Sequence, residues 1–226
     1  MKGERGMRLV FASNNAHKLS EVRAMVPAGV EVLSLHEIGF DQEIDETGRT
    51  LAENSRIKAD TVAAFISNQP SSIRRQIDGV FADDTGLEID ALGGKPGVYT
   101  ARWYLMCDNR CAKGDEKISG SPLHDEMMIF KVNRAKALRE LAGESNRDCH
   151  FKTVITLITN DQECQVEGIV RGRIAEAEYG EGGFGYDPIF IPEGYDKTFG
   201  ELPAEVKNSI SHRAKALTEL VKLLKA

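Results

Sequence analysis

The chain has 226 residues, 41% of them hydrophobic, with 29 Lys and Arg against 35 Asp and Glu for a net charge of −6. At roughly 150 residues per domain that length is one large α/β domain or two small ones, with enough apolar residues for a core, and bulk disorder is excluded. The acidic balance also excludes a general cationic field for DNA, RNA or an anionic membrane surface, so a polyanionic ligand has to be held by a local cationic site.

The first predicted element is a strand over Leu9-Val10-Phe11-Ala12, followed by the polar loop Ser13-Asn14-Asn15. Leu19, Val22, Met25 and Val26 then recur at helical spacing, Pro27 and Gly29 end the helix, and Val30 to Leu35 alternates as a second strand should. The opening therefore reads as a β-α-β unit. The four apolar residues after the charged N-terminus are too few for a signal peptide, and no apolar run approaches the roughly 18 residues of a membrane span, so the expectation is a soluble, cytosolic protein.

Thr50-Leu51-Ala52-Glu53 has capping-box spacing, and Ala59, Val62, Ala63 and Ile66 share one face, which predicts a helix over 50–67. Asn54 and Lys58 are i, i+4 neighbours at the edge of its apolar stripe, so the lysine is placed to lean over the core boundary into a cleft. After a polar connection over 68–78, Val80-Phe81-Ala82 reads as a short strand running into Asp83-Asp84-Thr85-Gly86, with both carboxylates exposed at the rim of the sheet. Gly93-Gly94, Pro96 and Gly97 mark a tight loop, and 103–122 reads as an insertion containing Cys107 and Cys111. With Cys149 and Cys164 the four cysteines form neither a disulfide framework nor a Cys-x-x-Cys metal pair.

Leu123 to Leu141 reads as a helix, Phe151 to Thr159 as a buried strand, and Cys164 to Arg173 as its antiparallel neighbour across an Asn160-Asp161 turn. Gly180 to Gly185 is a glycine-rich loop leading into a strand at Tyr186 to Phe190. Ser211 caps a last helix whose inward face is Ala214, Leu217, Leu220, Val221 and Leu224. There are no internal repeats.

Three groups of residues carry chemistry. Ser13, Asn14, Asn15, Ala16, His17 and Lys18 stand where a helix begins, so unpaired backbone N–H groups, the helix dipole and one lysine favour an anion. The Gly-x4-Gly-Lys-Ser/Thr spacing of a Walker loop is absent, and the same residues also suit a solvated first turn. Adjacent Asp83 and Asp84 repel unless a cation or proton is shared, which points to a divalent metal, with Glu46 as a further oxygen ligand; a capped turn is the alternative. The Asp-x-Asp of a haloacid-dehalogenase-type phosphatase is lacking. Around Gly182-Gly183-Phe184-Gly185-Tyr186-Asp187, glycines allow close approach to the backbone and aromatic faces suit a flat base. Lys207 and Ser211-His212-Arg213 add donors, and an arginine fork suits a keto oxygen but not an exocyclic amino group.

Taken together and in order, Ser13-x-Asn15-x-x-Lys18, Glu53-Asn54 with Lys58, Ala82-Asp83-Asp84-Thr85-Gly86-Leu87, Gly93-Gly94-x-Pro96-Gly97 with Ala101-Arg102, Phe184-Gly185-Tyr186-Asp187-Pro188 and Ser211-His212-Arg213 make the chain resemble the non-canonical purine nucleoside triphosphate pyrophosphatase family, the inosine triphosphatase or Ham1-like family. The resemblance runs from about Met7 to the C-terminus. It implies an α/β fold with a mixed central sheet, flanking helices and two lobes around a central cleft, spanning 1–226 as a single two-lobed domain. It also implies hydrolysis of ITP, dITP and XTP to the monophosphate and pyrophosphate, with Mg²⁺, in a cytoplasmic homodimer that binds neither nucleic acid nor membrane.

Carried over by position, Ser13 to Lys18 hold the phosphates and Lys58 contacts the triphosphate. Glu46 and Asp84 engage Mg²⁺, with Asp84 accepting the proton of the attacking water and Asp83 supporting it. Thr85 stands where the family usually has Ser and retains a hydroxyl for substrate. Phe184, Gly185, Tyr186, Asp187, Lys207, His212 and Arg213 surround the nucleoside. The 103–122 stretch and residues 1–6 depart from the pattern, and Met7 is an alternative initiator. Two other readings are a house-cleaning pyrophosphatase for modified pyrimidine triphosphates and a nucleotide-binding module without catalysis.

Overall fold

Strand β1 (Met7–Phe11) and strand β2 (Val30–Leu33) flank helix α1 (Ala16–Met25) and pair in parallel, Met7 opposite Val30 and Val10 opposite Leu33, which is the predicted β-α-β unit. The computed structural model describes residues 6–106 and 126–224. Positions 107–125, with Cys107, Cys111 and the start of the helix predicted over 123–141, lie outside the described residues.

Within the described residues the elements run α2 (Leu51–Ser67), α3 (Ser71–Arg74), β3 (Gly79–Ile89), β4 (Lys95–Gly97), α4 (Glu126–Glu140), β5 (Asp148–Thr159), β6 (Glu163–Ile174), β7 (Phe190–Pro192), α5 (Ala204–Ile210) and α6 (His212–Leu224). The sheet order is β2-β1-β3-β5-β6-β7, with β4 on β3. β1 and β3 are parallel, whereas β3–β4 and β6–β7 are antiparallel. Only three residues join the neighbours β5 and β6, which permits only antiparallel pairing. The sheet is therefore mixed and carries flanking helices, as expected. The chain divides into two compact units, Met1–Thr85 with Lys152–Ile169 and Asn208–Ala226, and Gly86–Phe151 with Val170–Lys207; the boundaries fall inside β3, β5, β6 and α5.

In the first unit, β1 is apolar and buried from Leu9 to Phe11 because both sheet faces are covered there. Leu9 and Phe11 pack with Val22 of α1 and with Ala216, Leu217 and Leu220 of α6, while Val10 and Ala12 pack with Ala59, Val62 and Ile66 of α2. Each face thus takes every second residue. The rings of Phe11 and Phe81 stack at 4.9 Å across the β1–β3 pair. α2 begins on a complete capping box: Glu53 N–H donates to Thr50 Oγ1 at 3.1 Å and Thr50 N–H to Glu53 Oε2 at 3.2 Å. α6 is capped by Ser211, whose Oγ accepts from Ala214 N–H at 3.1 Å.

In the second unit, Asn133 of α4 accepts from Tyr104 N–H at 2.8 Å and donates to Ala101 C=O at 3.1 Å, fixing the 3₁₀ turns over Thr100–Met106. Phe151, Phe190 and Phe199 form an aromatic core with centroid separations of 4.8 and 5.0 Å.

Several expectations are corrected. β3 is an 11-residue strand rather than a short one, and Asp83 and Asp84 lie buried in its interior rather than exposed at its end. Aspartate is disfavoured in strands when it has no partner; here buried cations supply one to each. Asn54 and Lys58 are likewise buried rather than at the edge of the stripe. Lys95–Gly97, read as loop, adds a strand, and α3 and α5 were not expected. No helix of the described residues is long and apolar enough to cross a membrane.

Candidate functional site

β3 alternates its faces through the acidic pair. Phe81 packs on the face covered by α6 and Ala82 on the face covered by α2, so Asp83 follows Phe81 and Asp84 follows Ala82 to opposite sides. Each carboxylate meets its own cation. Lys18 Nζ of α1 lies 2.9 Å from Asp83 Oδ1, and Arg213 Nε of α6 lies 3.3 Å from Asp83 Oδ2. Arg213 also pairs through Nη1 with Glu21 Oε2. On the other face Lys58 Nζ lies 2.8 Å from Asp84 Oδ1 and 2.9 Å from Glu46 Oε1.

This geometry corrects the expectation that the two aspartates share one cation. Repulsion between sequence neighbours is relieved by the pleat, and Asp83 is neutralised by Lys18 and Arg213. What remains together is Glu46 and Asp84, both on Lys58. Among the described residues no three His, Cys, Asp or Glu side chains are arranged to hold a metal. Yet Asp84 Oδ2 is buried with no hydrogen-bond partner among the described residues, an orphaned hard oxygen beside a second carboxylate. Such a donor set fits Mg²⁺, which takes one or two carboxylates and completes its shell with water and phosphate oxygens.

The electrostatics of the two aspartates diverge. Burial alone would push Asp83 up, but the charges of Lys18, Arg213 and Lys58 overcome it and hold the carboxyl well below the usual range. Burial pushes Asp84 up, and Glu46 adds to the rise, so the attraction of Lys58 is outweighed. Burial opposes the charge on Lys58, yet Asp84, Asp83 and Glu46 together keep it charged. Lys18 is lowered by burial and by Arg213 and Lys58, against the pull of Asp83. A strongly ionised aspartate beside one of raised basicity is the divergence that separates a supporting group from a proton acceptor.

The predicted anion loop is partly used by the protein itself. Asn15 caps α1, its Oδ1 accepting from Lys18 N–H at 3.0 Å, and Asn15 N–H contacts Ser13 Oγ at 3.3 Å. Asn14, Ala16 and His17 are exposed, whereas the Lys18 ammonium turns onto Asp83. A hydroxyl chain lies beside the aspartates: Thr85 Oγ1 is 2.8 Å from Thr153 Oγ1, which is 2.6 Å from His212 Nδ1.

The expected nucleoside residues of the second unit form a separate cluster. Asp187 Oδ2 accepts from Phe184 N–H at 2.8 Å and from Lys207 Nζ at 2.5 Å, and the Lys207 ammonium sits 4.7 Å over the Phe184 ring. Gly185 adopts φ +64°, and its carbonyl accepts from Arg134 Nη1 at 2.8 Å. Tyr186 is buried, with its hydroxyl donating to the Thr100 carbonyl at 3.1 Å, so that group serves the fold. His212 and Arg213 belong to the first unit, with Asp83, rather than to this cluster.

Three participants were missed by the sequence reading. Glu21 stands three residues after Lys18, which places both on one face of α1, a signal that was present. Thr153 and Arg134 sit in a buried strand and an ordinary helix and carried no local signal.

A profile of the Ham1 family matches residues 9–223. The chain is 42% identical over 220 residues to a dITP/XTP pyrophosphatase of Flavobacterium johnsoniae, covering 97% of this chain and 99% of that one, and 42% identical over 221 residues to the dITP/XTP pyrophosphatase of Bacillus subtilis, covering 96% of each. Its fold matches the Staphylococcus aureus Ham1 protein with a TM-score of 0.76 at 34% identity, over 96% of this chain and 98% of that one. By sequence over nearly its full length, and by fold, the chain belongs to the Ham1 family.

Proposed function

We propose that the chain hydrolyses deaminated purine nucleoside triphosphates, ITP, dITP and XTP, to the monophosphate and pyrophosphate, removing them from the nucleotide pool. The observation that carries this reading is the Glu46–Lys58–Asp84 group, with its unpartnered buried Asp84 oxygen, in a chain 42% identical to dITP/XTP pyrophosphatases.

In this reading Asp84 accepts the proton of the attacking water, a role its raised basicity suits. Lys58 holds that carboxylate in place and shares its charge with the substrate phosphates; Ser13 to Lys18 supply further donors. Asp83, held ionised, keeps Lys18 and Arg213 oriented. Glu46 and Asp84 are the residues that would hold Mg²⁺, which supplies charge neutralisation to a triphosphate bound by an acidic protein. Arg213 has donors and no acceptor, the property that separates a 6-keto oxygen from the amino group of adenine. Phe184 to Asp187 and Lys207 flank the nucleoside. The reading includes a homodimer and a cytoplasmic setting, supported by family membership; sedimentation at micromolar concentration tests the dimer.

Pyrophosphate release measured with ITP, XTP, dITP, GTP and ATP in Mg²⁺ decides the activity. Turnover of ITP, dITP and XTP well above ATP is expected. Equal rates on ATP and ITP overturn the selectivity. Preference for modified pyrimidine triphosphates, or tight binding without turnover, replaces the reading by one of the two alternatives above.

A further inference from the structure

We propose that Asn54 is a positioning residue whose side-chain amide clips the segment carrying Glu46 to α2, and so keeps Glu46 beside Asp84 for Mg²⁺. Residues 41–48 form no helix or strand, so the place of Glu46 is set by tethers rather than by a ladder of backbone bonds. One tether is the ion pair of Glu46 Oε1 with Lys58 Nζ at 2.9 Å. Another lies two residues on, where Gly48 N–H donates to Asn54 Oδ1 at 2.8 Å.

The two tethers are matched in length. Asn54 and Lys58 stand one turn apart on the same side of α2, about 6 Å along its axis. Two residues of chain reach at most about 7 Å, so holding Gly48 at the first turn keeps Glu46 within range of the second. Thr47 N–H closes a tight turn onto Asp45 C=O at 3.1 Å, with Glu46 at its centre. The contact with α2 is close-packed: a Cβ on Gly48 would lie 2.6 Å from Asn54 Oδ1 and 2.9 Å from Asn54 N.

Stability alone does not explain this amide. Asn54 is fully buried on α2, and because Gly48 N–H can only donate, Oδ1 faces it and Nδ2 forms the other end. That Nδ2 has no hydrogen-bond partner among the described residues, a cost that an apolar side chain would avoid. The use of the amide is at Gly48. When Glu46 turns from Lys58 toward a metal ion the ion-pair tether weakens, whereas the neutral bond between Asn54 and the backbone is unaffected. The inference rests on the proposed function for the role of Glu46 toward Mg²⁺.

Mn²⁺ titrations of the full chain without nucleotide, followed by electron paramagnetic resonance, provide the test. Asn54→Leu keeps the size and loses the acceptor; Gly48→Ala forces the segment off α2 and leaves Asn54 in place. Each is expected to weaken Mn²⁺ binding about tenfold, the loss typical of groups that support a metal ligand. In a Glu46→Gln background either change is expected to add less than about twofold, because its effect runs through Glu46. Exchange of the Gly48 amide with solvent is expected to quicken in Asn54→Leu. Gly48 is partly exposed, so its freed N–H can bond to water, and Asn54→Leu should melt near the wild type. If Asn54→Leu does not fold, Gly48→Ala decides by the same Mn²⁺ titrations. Unchanged Mn²⁺ affinity in the folded variants, unchanged Gly48 exchange in Asn54→Leu, or losses that multiply with that of Glu46→Gln overturn the proposal. No Mn²⁺ uptake by the wild type overturns it together with the metal role of Glu46, whereas uptake without ITP turnover overturns the functional reading alone.

Discussion

Lys58 Nζ donates to Asp84 Oδ1 at 2.8 Å, while the other oxygen of the same carboxylate is buried with no hydrogen-bond partner among the described residues. Half of Asp84 is thus fixed by an ammonium that also holds Glu46, and half is left for chemistry. The fold bears the desolvation of this acid without satisfying it, which is the pattern expected where a group is held ready for a ligand rather than for stability.

Replacing Asp84 by Asn is expected to lower kcat by roughly 10² to 10⁴, the usual contribution of general acid–base catalysis, with substrate binding retained. Near-normal turnover excludes the role.

Chelation of divalent cations should abolish pyrophosphate release. Glu46→Gln keeps a polar partner for Lys58 and removes one hard oxygen. It is expected to raise the Mg²⁺ concentration for half-maximal rate by at least about tenfold, a loss seen even for groups that only support a metal ligand. Activity measured across a Mg²⁺ titration checks this, and an unchanged midpoint removes Glu46 from the metal site.

Asp83 carries the pH dependence. Its folded-state pKa is depressed, so its stabilising contribution is present above the unfolded value of about 3.9 and is lost as the pH falls through the lower, folded value. Asp83→Asn leaves Lys18 and the buried Arg213 facing a neutral amide, and is expected to cost about 3–5 kcal/mol at neutral pH. Denaturant melts of both proteins should show a gap that is constant from neutral pH to about pH 5 and narrows below about pH 4. A gap that widens on acidification contradicts the assignment.

Gly183 has φ +74°, and a Cβ there would lie 2.0 Å from Asp187 Oδ2. Gly183→Ala must push Asp187 away from Phe184 N–H and Lys207. The Phe184–Gly185 loop then loses its anchor, and KM for ITP is expected to rise about tenfold or more, as for loss of a charge-assisted hydrogen bond, with kcat less affected. Steady-state kinetics check it, and an unchanged KM separates this loop from the nucleoside.

The elements most legible in the sequence are those whose reasons are local. The β-α-β opening, the Thr50–Glu53 capping box and the Ser211 cap each depend on side chains within a few residues of the backbone groups they satisfy. Adjacent Asp83 and Asp84 announced a site but suggested an exposed turn, because two neighbouring charges in a buried strand make sense only once distant cations are in place.

Legible in the residues alone were the strand beginning at Val80 and the caps of α2 and α6, but not the run of β3 on through residues 83 and 84, whose alternation sends them to opposite faces. Only the tertiary structure decided that α1 and α6 bring Lys18 and Arg213 to one face and α2 brings Lys58 to the other. The same holds for Tyr186, whose hydroxyl serves Thr100, and for Thr153, which joins Thr85 to His212. Period and capping are properties of neighbouring residues, but the partner of a buried charge or hydroxyl is chosen by which helix covers which face, and that choice is made by packing between segments far apart in the chain.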